Sequence, residues 1–232
     1  MSQRHPGARR ASHQSSEDSE DLFVAKVLDA GNWAQANQQL ITVLGVVIAI
    51  AVAGILYYRS YRSQLYDQAA QQLEVIHQSI SIRDTEGAKI DLATFLDRFG
   101  GTPLEGEARL ILGELYLKSG DPQQALAVLG PLGSSPRGPI DFQGAALLGV
   151  AYEQEGRWED AEKTYLTIAD RSKLDFQVRD ALAAAARIRG AQGDAEGAID
   201  LYERVLSDLG ENSPERGIYE MRIQEIRSGS NI

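Results

Sequence analysis

Residues 112–129, LGELYLKSGDPQQALAVL, lie over residues 148–165, LGVAYEQEGRWEDAEKTY, without a gap. Leu112 corresponds to Leu148, Gly113 to Gly149, Tyr116 to Tyr152, Gly120 to Gly156, Ala125 to Ala161 and Leu129 to Tyr165, each pair 36 residues apart. A third copy, residues 185–202, follows at a spacing of 37: Ala186 replaces the glycine, Gly193 keeps the turn, and Ala198 and Tyr202 continue the series. A unit this short cannot bury an apolar face alone, so self-similarity at this period predicts units stacked into a solenoid. Past residue 62 the chain is rich in Ala, Leu, Gln and Glu and shows no alternating Val/Ile pattern. Each unit therefore reads as a pair of helices, and the fold class as all-α.

These positions resemble the tetratricopeptide repeat (TPR), whose signature is Leu-Gly-x-x-Tyr in a first helix, Gly at the turn, then Ala and an aromatic residue in a second helix. Helices approach closely only where side chains are small. Gly113, Gly149 and Ala186 are accordingly expected to face Ala125, Ala161 and Ala198. Tyr116, Tyr152, Leu129, Tyr165 and Tyr202 should fill the space between successive hairpins. Gly120, Gly156 and Gly193 suit a helix end that disfavours a Cβ, and Asp121-Pro122 or Asp194 suits the start of the next helix. Two departures stand out: Arg189 replaces the third Tyr, and the closing Pro is displaced to Pro136 in the first copy and missing from the second. Those edges are expected to pack irregularly.

The pattern fades on either side of the three copies. Residues 64–98 read as a degenerate opening hairpin broken near Asp84, with Ala88 and Leu92 at 37 residues before Ala125 and Leu129. The expected repeats cover about 106–132, 142–169 and 179–206 within a domain of 63–212. Residues 213–228, with Pro214 at the start, read as a polar-faced helix capping the stack.

Leu40 to Tyr58 is nineteen residues without a charge. At about 1.5 Å per residue it extends roughly 30 Å, the thickness of a bilayer's hydrocarbon core. Tyr57 and Tyr58 sit at aromatic-belt depth, followed by Arg59 and Arg62. A single transmembrane helix over 40–58 is the expectation. Ala51-Val52-Ala53 resembles a signal cleavage site, but the forty residues ahead of the run are too long for an ordinary n-region. Residues 21–39 carry Phe23, Val24, Val27 and Leu28 at helical spacing and read as an amphipathic juxtamembrane helix with Trp33 as an interfacial anchor or partner contact. Residues 1–20 lack large aliphatic side chains and read as a disordered tail. Charge does not decide the orientation: Arg59 and Arg62 outnumber Lys26 near the span, whereas the whole tail adds Arg4, Arg9 and Arg10.

Lys plus Arg number 23 against 33 Asp plus Glu, a net charge of −10, which argues against a nucleic-acid partner. The chain has no Cys and three His, at positions 5, 13 and 77. No nucleophile–base pair, Walker-type element or metal-ligand spacing is present, so no enzyme, cofactor or metal site is expected. Binding remains. Projection from the repeat register places Glu107, Glu114, Lys118, Gln143, Glu153, Gln154 and Arg187 on the concave face, a largely acidic lining suited to a basic or polar extended segment.

The order of tail, amphipathic helix, span and small acidic repeat domain resembles the bacterial ancillary subunit of the SecYEG translocon. That resemblance implies a single-pass protein of the inner membrane, its N-terminus cytoplasmic and its repeats periplasmic, associating with SecYEG and a membrane-anchored periplasmic chaperone. Two other roles fit the same layout: an accessory subunit bracing another inner-membrane complex, or a cytoplasmic-facing regulator with a switchable tail.

Overall fold

The computed structural model describes Lys26, Leu28, Trp33 and residues 35–229. The expected tail over 1–20 lies outside the described residues, as does much of the expected amphipathic helix over 21–39. The chain divides into two compact units, Met1–Arg62 and Ser63–Ile232. Helix α1, Gln38–Ser81, runs through the division.

In the first unit α1 carries the apolar run. Its most apolar window has a mean hydropathy of 2.7, and none of that window is buried within the chain. It is the one helix among the described residues long and apolar enough to cross a membrane. Its polar Thr42 returns a hydroxyl hydrogen bond to the Gln38 carbonyl at 2.8 Å, so the side chain carries no unsatisfied donor.

Among its described residues, every regular element of the second unit is a helix. The last turns of α1 bury Ala69, Leu73 and Ile76, spaced three and four apart as one helix face requires. The chain turns back through Arg83, whose φ is +65°. Asp84 then starts α2, Thr85–Phe99, accepting a hydrogen bond from the Gly87 N–H at 3.0 Å. Ala88, Leu92, Phe95 and Phe99 pack that helix onto α1.

Three hairpins follow: α3 (Glu105–Lys118) with α4 (Pro122–Gly133), α5 (Pro139–Gln154) with α6 (Trp158–Arg171), and α7 (Asp175–Ala191) with α8 (Ala195–Asp208). Each first helix ends at a glycine, and Gly120, Gly156 and Gly193 have φ of +76°, +71° and +84°. Open space surrounds all three, so the left-handed backbone alone, and no crowding, demands glycine there. Pro122 supplies the first turn of α4, where its missing N–H has no partner to lose.

Inside the hairpins the packing differs from the expectation. A Cβ on Gly113 would lie 2.5 Å from the Leu129 side chain, and one on Gly149 would lie 2.6 Å from the Tyr165 ring. The glycines thus receive the large residues of their own second helices; Ala125 and Ala161 are not their nearest neighbours, and Leu129 and Tyr165 do not serve only the space between hairpins. The reason is steric, since a bare backbone leaves a hollow that a large side-chain tip fills better than a methyl group. A second close approach, unforeseen from the repeats, joins α4 to α5. Cβ atoms on Gly133 and Gly144 would meet Leu148 at 2.8 Å and Leu132 at 2.6 Å. At the third repeat, Arg189 bonds Glu162 on α6 at 2.7 Å, an ion pair where the earlier copies carry Tyr116 and Tyr152.

Helix α9, Arg216–Ser228, closes the stack. The Arg216 guanidinium donates to the carbonyls of Leu206 and Leu209 at 2.8 and 3.1 Å, satisfying groups that the end of α8 leaves open. Ile223 is buried, but Ile218 and Met221 remain 55% and 53% exposed. The closing helix is therefore not polar over its whole outer surface.

Candidate functional site

Helix α3 packs directly on α5, whereas α5 and α7 stand further apart and leave a groove of about 230 Å³. Phe142 and Ala146 of α5 form one wall, and Phe176 and Ala181 of α7 form the other. Tyr165 and Ile168 of α6 supply the floor. Tyr165 reaches this place because Gly149 has no side chain: the ring crosses the α5 backbone where a Cβ would otherwise stand.

Across one end of the groove lies a polar cluster. The Tyr165 hydroxyl donates to Glu153 Oε1 at 2.7 Å. Arg187 Nη2 donates to the same oxygen at 2.8 Å while Nη1 meets Oε2 at 2.7 Å, a two-pronged ion pair joining α5 to α7. Burial, reinforced by the neighbouring Glu153 carboxylate, pushes the Tyr165 phenol well above its ordinary range. The Glu153 hydrogen bond holds the Arg187 guanidinium more firmly protonated. All three groups satisfy one another.

The other residues projected onto the concave face are distributed as follows. Gln143 lines the groove. Gln154 is exposed at the end of α5. Glu114 pairs with Lys118 one turn on, at 2.6 Å. Glu107 stands 3.4 Å from His77 Nε2. Glu114 and Glu153 thus each have a cationic side chain beside them, so the acidic lining is locally balanced at those two positions, while Glu107 stands beside an imidazole. Projection from the repeats chose polar positions and missed Phe142, Ala146, Phe176 and Asp180. The available signal was the pair of phenylalanines in the first turns of α5 and α7, large apolar residues at positions that the repeat core does not use.

A second, shallower groove of about 320 Å³ lies between α7 and α9, over Tyr202. Burial raises the Tyr202 phenol as it does Tyr165, and the two tyrosines occupy equivalent repeat positions. Among the described residues no three acidic or imidazole side chains come together as metal ligands would.

A family model described as the tetratricopeptide repeat-like domain matches residues 31–228. The chain belongs to that family. The match begins ahead of the apolar run, so this repeat-like domain takes in α1 from its first residue. No curated protein matches the chain. Among solved structures, a tetratricopeptide repeat protein from Parabacteroides merdae ATCC 43184 is similar at 17% identity and a TM-score of 0.58, over 72% of this chain and 61% of that one. The TPR-like chain therefore spans about three fifths of that relative's length. TPR-like repeats of a kinesin light chain from Podosopora anserina are similar at 18% identity and a TM-score of 0.54, over 69% of this chain and 86% of that one. At these identities the likeness concerns the fold: a TPR-like helical solenoid, of the kind that generally serves protein–protein interaction.

Proposed function

We propose that the chain is a membrane-anchored, non-enzymatic TPR scaffold that holds a segment of a partner protein against its first helices. The groove between α5 and α7 carries this reading. Its walls are apolar, the Tyr165–Glu153–Arg187 cluster beside it is satisfied internally, and its volume of about 230 Å³ is small beside the roughly 300–1,000 Å³ of small-molecule sites. In this reading residues 63–212 form the repeat domain, residues 213–228 cap it, and the face bearing Gln143, Glu153 and Arg187 receives the partner. Residues 40–58 of α1 cross the bilayer, because an apolar helix with no intramolecular cover finds its favourable solvent in lipid. Anchoring raises the effective concentration of neighbouring membrane proteins without adding a contact.

The layout of anchor and repeats supports an ancillary role beside the SecYEG translocon, with a periplasmic chaperone as second partner, in the bacterial inner membrane. The N-terminus is then cytoplasmic and the repeats are periplasmic. Affinity purification of the full-length protein in mild detergent, beside a version lacking residues 1–62, tests this. Recovery of translocon subunits or the chaperone supports the reading. Recovery of a different membrane complex favours a bracing subunit instead, and recovery of nothing, while a known membrane complex survives the same conditions, counts against a scaffold.

A further inference from the structure

We infer that the α5–α7 groove selects an extended segment in which one apolar side chain stands beside a lysine or arginine. The inference rests on the proposed binding role of this groove and adds the chemistry of its occupant.

The apolar requirement follows from the walls. Phe142, Ala146, Ile168 and Ala181 surround the space, and Phe176 is 54% exposed at its edge. A side chain seated there covers apolar surface that the chain itself leaves wet.

The basic requirement follows from elimination among the polar groups. The Tyr165 hydroxyl and the Arg187 guanidinium are spent on Glu153. Gln177 accepts a hydrogen bond from Ser172 at 2.7 Å. Arg179, beside the groove, lies 3.5 Å from Glu215. Gln143 and Asp180 remain, and neither has a hydrogen-bond or ion-pair partner among the described residues. Asp180 is thus the uncompensated charge on the groove, and a cation on the occupant completes it. The chain's net charge of −10 draws a basic segment in the same sense. Because Asp180 is exposed, the ion pair sets preference while the apolar anchor supplies most of the affinity.

The test uses full-length protein in nanodiscs of phosphatidylcholine, a lipid without net charge, and a fluorescein-labelled peptide Ser-Gly-Lys-Phe-Lys-Gly-Ser, with Kd read by anisotropy. Replacing the peptide's Phe by Ala should weaken binding at least about tenfold, and replacing both Lys by Glu about three- to fivefold. Asp180→Lys should reverse the charge preference, so that the Glu peptide binds more tightly than the Lys peptide; a structural role for Asp180 would not produce this exchange. Phe176→Ala should weaken both peptides and keep the preference, with Phe176→Leu as the variant of choice if the alanine form melts early. Equal binding of the Lys and Glu peptides by the unaltered protein, or an unchanged preference in Asp180→Lys, overturns the inference. So does failure of every peptide to bind. If affinity purification still recovers a discrete partner in that case, the scaffold reading stands without this specificity; if it recovers none, both fall.

Discussion

The two terminal nitrogens of Arg187 on α7 grip the two carboxylate oxygens of Glu153 on α5, at 2.8 and 2.7 Å, across 34 residues of sequence. Only 14% of the Glu153 side chain is exposed, so a lone carboxylate there would be poorly solvated. Arg187→Gln is therefore expected to destabilise more than Glu153→Gln. A double-mutant cycle in urea, followed by circular dichroism, should give a coupling of roughly 0.5–3 kcal/mol. Strictly additive effects would show that the pair does not tie the two helices together.

Alkaline pH should loosen the same region. Burial raises the Tyr165 phenol above its ordinary 10.0, so the folded chain keeps this proton where the unfolded chain loses it. Its contribution is complete below pH 10.0 and disappears as pH rises from there toward the folded value. Tyr202 and Tyr219, also raised by burial, act in the same direction. Stability measured in urea between pH 8 and pH 11 should fall toward the upper end, and Tyr165→Phe should flatten that fall.

Gly149 and Gly217 should respond oppositely to alanine. A methyl group at Gly149 enters the Tyr165 ring, an overpacking expected to cost about 1–3 kcal/mol. Gly217, in α9, has nothing within 4 Å, so alanine should stabilise it by about 0.5–1 kcal/mol through the smaller loss of backbone freedom. Thermal melts of the two variants against the parent decide the matter.

At the turns the argument is conformational. Gly156→Ala puts a Cβ on a residue with φ of +71° and should cost about 1–2 kcal/mol, although no atom stands in its way. Asn, which tolerates the left-handed region better, should restore part of the loss. If Gly156→Ala and Gly156→Asn melt together with the parent, the turn is not held in that conformation.

The absence of Cys makes topology simple to measure. Single cysteines at Ser16 and Asn212 should react oppositely with an impermeant thiol reagent on intact spheroplasts, Asn212→Cys labelled and Ser16→Cys protected. The reverse pattern places the repeats in the cytoplasm and removes the translocon reading.

The all-helical repeat architecture was legible in residues because its causes are short-ranged. A glycine every 36 or 37 residues, alanines at matching places and helix-forming residues between them set where helices begin, end and recur. The uncharged run over 40–58 was legible for a similar reason, since length and hydropathy are properties of one segment. Which side chain fills which hollow was not. Leu129 against Gly113, Tyr165 against Gly149 and the crossing at Gly133 and Gly144 depend on how one helix is rotated and offset against the next. The groove is further removed still, because it arises from the spacing of α5 and α7, two helices that are not neighbours in sequence. Periodicity marked Glu153, Arg187 and Gln143 as outward-facing. Only the stacked helices determined that the first two neutralise each other, while Gln143 lines a groove with Phe142, Phe176 and Asp180, because such pairings are set by distances of a few ångströms across repeats, and a one-dimensional pattern carries no record of them.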